Sequence, residues 1–275
     1  MTRDMATETA FFSTEETALA ERFLRDGYVI LPAEDSAALG RIQRATASAA
    51  ATHLDLVLDN DATAFLDAVH ETVDVAGLND LRLAVIRSLL GEPWLRPAYF
   101  SLARSAIGAL CGNELAMQRG MGLSVQLPGD TSSLLPLHAD VWDGDSPFEL
   151  VLWTPLVDAM KTKSMFIAPL ARDRDIQAGM HAHQSGSVEQ FFETMRDQVV
   201  FLDVPYGSVL LFSQTLMHGN RVNEEATTRW SLNCRFKSLL SPYADKKLGE
   251  FFEPITLRPA TRVGSDYRLP EGFDE

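Results

Sequence analysis

The sequence predicts a mainly β fold with flanking helices: a mostly helical first half, then a β core in the second half of the chain. Two patterns and a length point there. Residues 35–111 are rich in alanine and leucine at helical spacing. From about residue 117, short β-branched and apolar runs are separated by turn residues, as in a sandwich or barrel. The 275 residues, 46% hydrophobic, suffice for one large domain or two small ones and exclude a disordered chain. We read residues 1–275 as one domain: about 1–115 mostly helical, about 116–240 the β core, 241–275 a tail.

The elements follow in order. Ser13-Thr14-Glu15-Glu16 fits a capping box, in which hydroxyl and carboxylate satisfy the free amides of a first turn. Leu19, Phe23 and Leu24 give that helix an apolar face, and Gly27 is its stop. Tyr28 to Pro32 reads as a short strand. Three or four helices follow, with breaks near Asn60-Asp61, Gly77 and Gly91-Glu92-Pro93. Strands are expected at 117–127, 148–156, 164–168, 199–204, 208–212 and 227–237. Residues 169–197 interrupt them, with Ser187-Val188-Glu189-Gln190 fit to cap a short helix. So long an insertion is commonly a lid or binding loop. The tail after Ser241 shows weak periodicity.

Charge and cysteine content narrow the function. Twenty-four basic against 38 acidic side chains give a net charge of -14, which argues against a nucleic-acid or anionic-membrane partner. The start, Met1-Thr2-Arg3-Asp4, lacks the apolar core of a signal peptide, and no run approaches a membrane span. Cys111 and Cys234 make neither a disulfide framework nor a zinc motif and read as small hydrophobes, so a reduced, cytoplasmic setting is expected.

Six histidines are present, and two stand in informative places. In Leu137-His138-Ala139-Asp140, an extended backbone directs His138 and Asp140 to one side. His218 follows the strand-like run 208–212 and precedes Gly219-Asn220. Two imidazoles and a carboxylate form the facial triad that holds non-haem Fe(II) and leaves positions open for a co-substrate and O2. A His-x-Asp tripeptide also occurs in surface loops, and a lone histidine is often only a hydrogen bonder. The strand around Arg229 adds a third sign. Arg229, Ser231, Asn233 and Arg235 share one face; Trp230, Leu232 and Cys234 share the other. The polar face is either solvent-exposed or turned to a polar cavity. In the second case Arg229, eleven residues after His218, is a natural carboxylate partner, with Ser231 beside it.

Together, His138-x-Asp140, His218 and Arg229-x-Ser231 resemble the motif of Fe(II)/2-oxoglutarate-dependent oxygenases. The eleven-residue gap and the opening Phe23-Leu24-Arg25-Asp26-Gly27-Tyr28-Val29-Ile30-Leu31-Pro32 resemble the phytanoyl-CoA dioxygenase-like branch. The phrase from Leu135 to Glu149 is similar to oxygenases of sporadically distributed bacterial carbohydrate gene clusters. The resemblance covers residues 15–240. It implies a double-stranded β-helix, the cupin-like jelly-roll, with the metal in the barrel mouth. It implies His138, Asp140 and His218 as iron ligands, and Arg229 with Ser231 for the far carboxylate of 2-oxoglutarate. Gln126 and Asn220 are further co-substrate candidates by position. The cofactors implied are Fe(II), 2-oxoglutarate and O2, and the reaction is hydroxylation of a small-molecule substrate with release of succinate and CO2. Iron halogenases of this kind carry a small residue where Asp140 stands, so hydroxylation is favoured.

Other residues keep two readings. Trp142 and Asp143 form either a turn or a sugar-facing loop beside the iron. Arg235 is either a support for the site or a contact for a substrate anion. His181 and His183 are either a metal pair, for which no third and fourth ligand stand nearby, or part of a polar loop or lid, which the resemblance sets near the barrel mouth where His183 could touch substrate. Lys163 is expected to be solvated; His53, His70, Trp153 and Trp230 are expected to be structural. The alternatives to a sugar hydroxylase are the same chemistry on an amino acid, lipid or secondary metabolite, a non-catalytic sugar-binding jelly-roll, and a divalent-metal isomerase working without O2.

Overall fold

The computed structural model describes residues 11–180 and 187–272. Helix α1 (Thr14–Asp26) begins at Ser13, whose Oγ accepts from the Glu16 N–H at 3.1 Å while the Glu16 carboxylate accepts from the Ser13 N–H at 2.9 Å. It ends at Gly27, where φ is 78° and a Cβ would come within 2.7 Å of Leu216. Only glycine meets both conditions. Strand β1 (Tyr28–Pro32) follows, then α2 (Ser36–His53), α3 (Ala62–Asp67), α4 (Val75–Leu90), α5 (Leu95–Ser101) and α6 (Arg104–Cys111). The break expected at Gly77 falls earlier. Asp74 accepts from the Gly77 N–H at 3.0 Å and so places Gly77 in the first turn of α4.

The expected strand at 117–127 divides into β2 (Leu115–Gln118) and β3 (Gly122–Gln126). Then come β4 (Glu149–Pro155), β5 (Met165–Ile167), α7 (Leu170–Gly179), α8 (Val188–Met195) and β6 (Val200–Phe201). The chain continues through β7 (Ser208–Ser213), β8 (His218–Asn220), β9 (Arg229–Ser238), β10 (Phe252–Thr256) and α9 (Pro259–Asp266). Helix α8 carries the expected capping box of Ser187 and Gln190.

Two antiparallel sheets result. The larger runs β1-β7-β4-β9-β2-β10, with β3 also paired to β9; the smaller runs β6-β5-β8. One face of the large sheet buries Leu152, Leu211, Leu232 and Phe236 against Leu39, Leu81 and Val85 of the helices. Its other face sets Val151, Trp153, Leu210 and Phe212 against Met165 and Ile167 of the small sheet. Helix α8 covers the outside of the small sheet, with Phe192 and Phe166 centroids 4.9 Å apart. Helices, sheet, sheet and helix are the layers of the expected jelly-roll. No helix among the described residues is long and apolar enough to cross a membrane.

Two expectations are corrected here. The tail supplies a strand: β10 pairs with β2 from Phe252↔Gln118 onward. Its Pro254 is tolerated because β10 is the sheet edge, where a missing N–H breaks no ladder. Lys163 is buried, not solvated. Its Nζ donates to Asp67 Oδ1 at 2.7 Å and Thr227 Oγ1 at 2.6 Å, tying the start of β5 to α3. Trp230 is fully buried and donates its Nε1–H to Leu66 O at 2.9 Å. Cys234 is buried, and burial pushes its thiol up to about 12; Cys111 is half-buried.

We expect Lys163→Met to cost about 3 kcal/mol of stability in urea unfolding, because it leaves Asp67 and Thr227 without their buried partner. A loss under about 0.5 kcal/mol would place the pair with weak surface bridges. Glu149 gives a pH prediction. Its carboxyl is buried, accepts from the Ser146 N–H at 2.9 Å and from Gln214 Nε2 at 2.8 Å, and burial, with Asp145 adding, pushes it up to about 7. The folded chain therefore holds a proton that the unfolded chain gives up near its ordinary value of 4.5. The stability this contributes is full below that ordinary value and is lost as pH rises through about 7. Glu149→Gln keeps a neutral group there, and Gln214 Oε1, buried without a partner, is available to accept from it. Thermal unfolding from pH 5 to 8 should be flatter in the variant by roughly 2 kcal/mol.

Candidate metal centre

The site starts from a backbone bridge. Residues 135–138 run antiparallel to β8: His138 N–H donates to His218 O at 3.0 Å, and His218 N–H to His138 O at 2.8 Å. The two imidazoles thereby become cross-strand neighbours, with centroids 4.3 Å apart. Gly219 permits the approach, since a Cβ there would lie 2.7 Å from Leu135 O. Ala139 is extended, and Asp140 opens a 3-10 turn, Asp140–Asp143, that closes at Gly144. Asp140 Oδ1 then lies 3.5 Å from His138 Nε2. One donor atom from each of His138, Asp140 and His218 lies within 4.8 Å of the other two.

Tautomer and charge both suit a cation. His138 Nδ1 is 2.8 Å from Pro136 O, and His218 Nδ1 is 2.9 Å from Leu216 O. A carbonyl only accepts, so each Nδ1 carries a proton and each Nε2 faces the site. Burial lowers His138, but Asp140 beside its Nε2 and the Pro136 carbonyl outweigh it and raise it above the ordinary imidazole value, so a proton on that Nε2 leaves as a cation binds. Burial pushes His218 down to about 4, so it is neutral at pH 7. Burial works against the Asp140 carboxylate, but His138, His218 and Arg235 outweigh it and hold it at about 2.

The triad lies in the wall of a cavity of about 710 Å³ between the sheets. Val151, Trp153, Met165 and Phe212 form its apolar side. Strand β9 contributes Arg229, Asn233 and Arg235, so the polar face read from the sequence turns inward. Arg229 is 3% exposed. Its Nη2 donates to Ser124 Oγ at 2.8 Å, its Nε has no partner, and no carboxylate among the described residues pairs with it. Burial alone brings its pKa down to about 10. The Ser231 hydroxyl, on the same strand face but off the cavity wall, is also buried without a partner. An unpaired buried guanidinium is costly, and an anion entering the cavity removes that cost.

The remaining candidates are distributed as follows. Asn220 lines the cavity, but its amide is engaged: Oδ1 accepts from the Leu135 N–H and Nδ2 donates to Ser133 O at 3.3 Å. Gln126 lies off the cavity wall. Its Nε2 donates to Arg221 O at 2.7 Å, and its Oε1 is buried without a partner. Asp143 faces the cavity, whereas Trp142 is 42% exposed and off the wall. Arg235 faces it with its guanidinium held by Asp140 and Asp145. His183 lies outside the described residues. No described residue of 169–197 lines the cavity. That insertion is fastened to the residues on either side of β8 instead: Asp173 accepts from the Met217 N–H at 2.7 Å, and Arg221 pairs with Glu189 at 2.6 Å. Arg82 of α4, Ser124, Ser132 and Ser133 also line the cavity. The sequence marks none of them, except that Ser124 falls on the same strand face as Gln126.

No family model matches the sequence, and no curated protein matches it. Solved structures do. The non-heme monooxygenase ThoJ in its nickel complex is 19% identical, with 92% of this chain and 89% of that one covered and a TM-score of 0.52. AviO1 from Streptomyces viridochromogenes Tue57 is 18% identical, covering 85% and 99%, at 0.51. SnoK, a non-heme alpha ketoglutarate dependent carbocyclase from nogalamycin biosynthesis, is 16% identical, covering 90% and 98%, at 0.53. At these identities the likeness establishes architecture: the chain has the fold of these non-heme enzymes.

Proposed function

We propose that residues 1–275 form one Fe(II)- and 2-oxoglutarate-dependent dioxygenase domain that hydroxylates a C–H bond of a small polar molecule. The observation that carries this reading is a buried, counter-ion-free Arg229 in the same cavity as the His138, Asp140 and His218 cluster. A metal triad alone serves many chemistries. A triad with a waiting cation in reach fits a co-substrate that chelates at one end and is anionic at the other.

The residues fit the group. His138 and His218 offer Nε2 atoms, and Asp140 offers a charged oxygen, an N2O set that suits Fe(II) and leaves coordination positions open. Arg229 holds the far carboxylate of 2-oxoglutarate, and Ser231 donates its free hydroxyl to the same end. When bound, iron and 2-oxoglutarate supply the oxidation of a C–H bond by O2, with succinate and CO2 released. The chain itself ligates, orients and keeps water away. Val151, Trp153, Met165 and Phe212 provide the dry side of the cavity. Asp140 occupies the ligand position that a halide would need, which favours hydroxylation. Asn220 acts on the site by bracing residues 133–135.

The substrate is a carbohydrate or carbohydrate-derived metabolite. The resemblance of residues 135–149 to oxygenases of carbohydrate clusters supports this. So do Ser132, Ser133, Asn233 and Asp143 on the cavity wall, hydroxyl, amide and carboxylate groups suited to polyol recognition.

Anaerobic addition of Fe(II) and 2-oxoglutarate should give a visible metal-to-ligand charge-transfer band. His218→Ala should abolish it. Arg229→Ala should raise the 2-oxoglutarate needed by about 10- to 100-fold, the value of a hydrogen bond to a charged group. Absence of the band in folded parent protein would overturn the proposal. Succinate release over a panel of sugars and non-sugars, with a product heavier by one oxygen, then tests the substrate class.

A further inference from the structure

Asp140 stands at the start of a short 3-10 turn, so regular backbone structure does little to fix its carboxylate. Two side chains touch it: His138, and Arg235, whose Nη2 lies 3.1 Å from Oδ1. Arg235 itself is well placed to hold something. It sits in β9 opposite Val151 of β4, and its backbone N–H and Nη1 both donate to Gln118 Oε1 of β2, at 3.2 and 3.4 Å. Its Nε lies 3.3 Å from Asp145 Oδ1, a charge contact rather than a hydrogen bond.

Asp145 is fully buried, and its Oδ2 accepts from Lys246 Nζ. Lys246 comes from the C-terminal tail, which is pressed onto the same turn. Asp245 N–H donates to Gly144 O at 3.1 Å, Ser146 Oγ donates to Pro242 O at 2.7 Å, and a Cβ on Gly144 would lie 2.9 Å from Asp245. Carboxylate, guanidinium, carboxylate and ammonium thus alternate along one line from the cavity wall to the tail, buried except at Lys246.

Resting on the reading of the triad as a metal centre, we propose that Arg235 is a positioning residue that aims the Asp140 carboxylate at the ion. Lys246 acts through Asp145 to keep Arg235 on Asp140. A planar guanidinium fork reaches two carboxylates at once, which an ammonium does not. With Lys246 gone, Arg235 is the one cation left on Asp145, whose other titratable neighbour is the Glu149 carboxyl, and Asp145 competes with Asp140 for that guanidinium. Charge alone predicts the opposite result. Removing a cation from the neighbourhood of a cation site tightens metal binding.

The test is anaerobic titration with Co(II), read from its d–d absorption, with His218→Ala as the site control. Arg235→Lys and Lys246→Met are compared with parent at a temperature well below each protein's unfolding midpoint. Residues supporting a metal ligand typically change affinity 10- to 100-fold. We expect Arg235→Lys to weaken Co(II) about 10-fold or more and to alter its band shape, and Lys246→Met to weaken it about 3- to 10-fold. Parent binding that His218→Ala removes, together with unchanged or tighter binding in Lys246→Met, overturns the relay and leaves the metal centre standing. No binding by folded parent overturns the metal centre and the relay with it. If Arg235→Lys does not fold, Lys246→Met decides, since Lys246 is a quarter exposed and tolerates loss better.

Discussion

The alternation of β9 is the constraint from which the rest follows. Ten residues long and hydrogen-bonded to β4, β3 and β2, it separates two environments. Trp230, Leu232, Cys234 and Phe236 lock the helical layer to the sheet. Arg229, Asn233 and Arg235, one step out of phase, line the cavity. A one-residue slip would exchange the two sets, driving arginines into the helical core and a tryptophan into the cavity. The apolar face therefore specifies the register that makes the polar face chemical.

The histidines obey a similar logic at smaller scale. Their proximity comes from a two-bond backbone bridge, not from side-chain attraction, since two imidazoles have little reason to meet. The bridge needs Gly219, because a Cβ would meet the backbone of residues 135 and 136. Carbonyls at 136 and 216 then select the protonated nitrogen on each ring. Steric room, backbone pairing and tautomer choice are settled before any ion arrives.

Much of this was legible in the sequence. The capping boxes at Ser13 and Ser187 and the phase of β9 follow from short-range rules that hold in the structure, and the resemblance to a known motif is what joined His218 to His138 and Asp140. What was not legible depends on long-range partners. Lys163 reads as a surface lysine until α3 brings Asp67 to it. Residues 252–256 read as irregular because a proline interrupts five residues, and only the open edge of β2 makes them a strand. Arg82 joins the cavity because α4 lies over β3, and nothing in its own helix announces that. Arg235 remained ambiguous because its two acids, Asp140 and Asp145, bracket a turn whose course no local pattern reveals.

The late strand has a consequence for synthesis. The chain leaves the ribosome N-terminus first, so Phe252–Thr256 emerges after the ligands at 138–218 and the strands that hold them. During that interval β2 is a naked edge, open to pairing with another nascent chain. Asp145 meanwhile waits for Lys246. The large sheet is thus completed by β10, and a chain lacking residues from 252 onward would leave the β2 edge exposed.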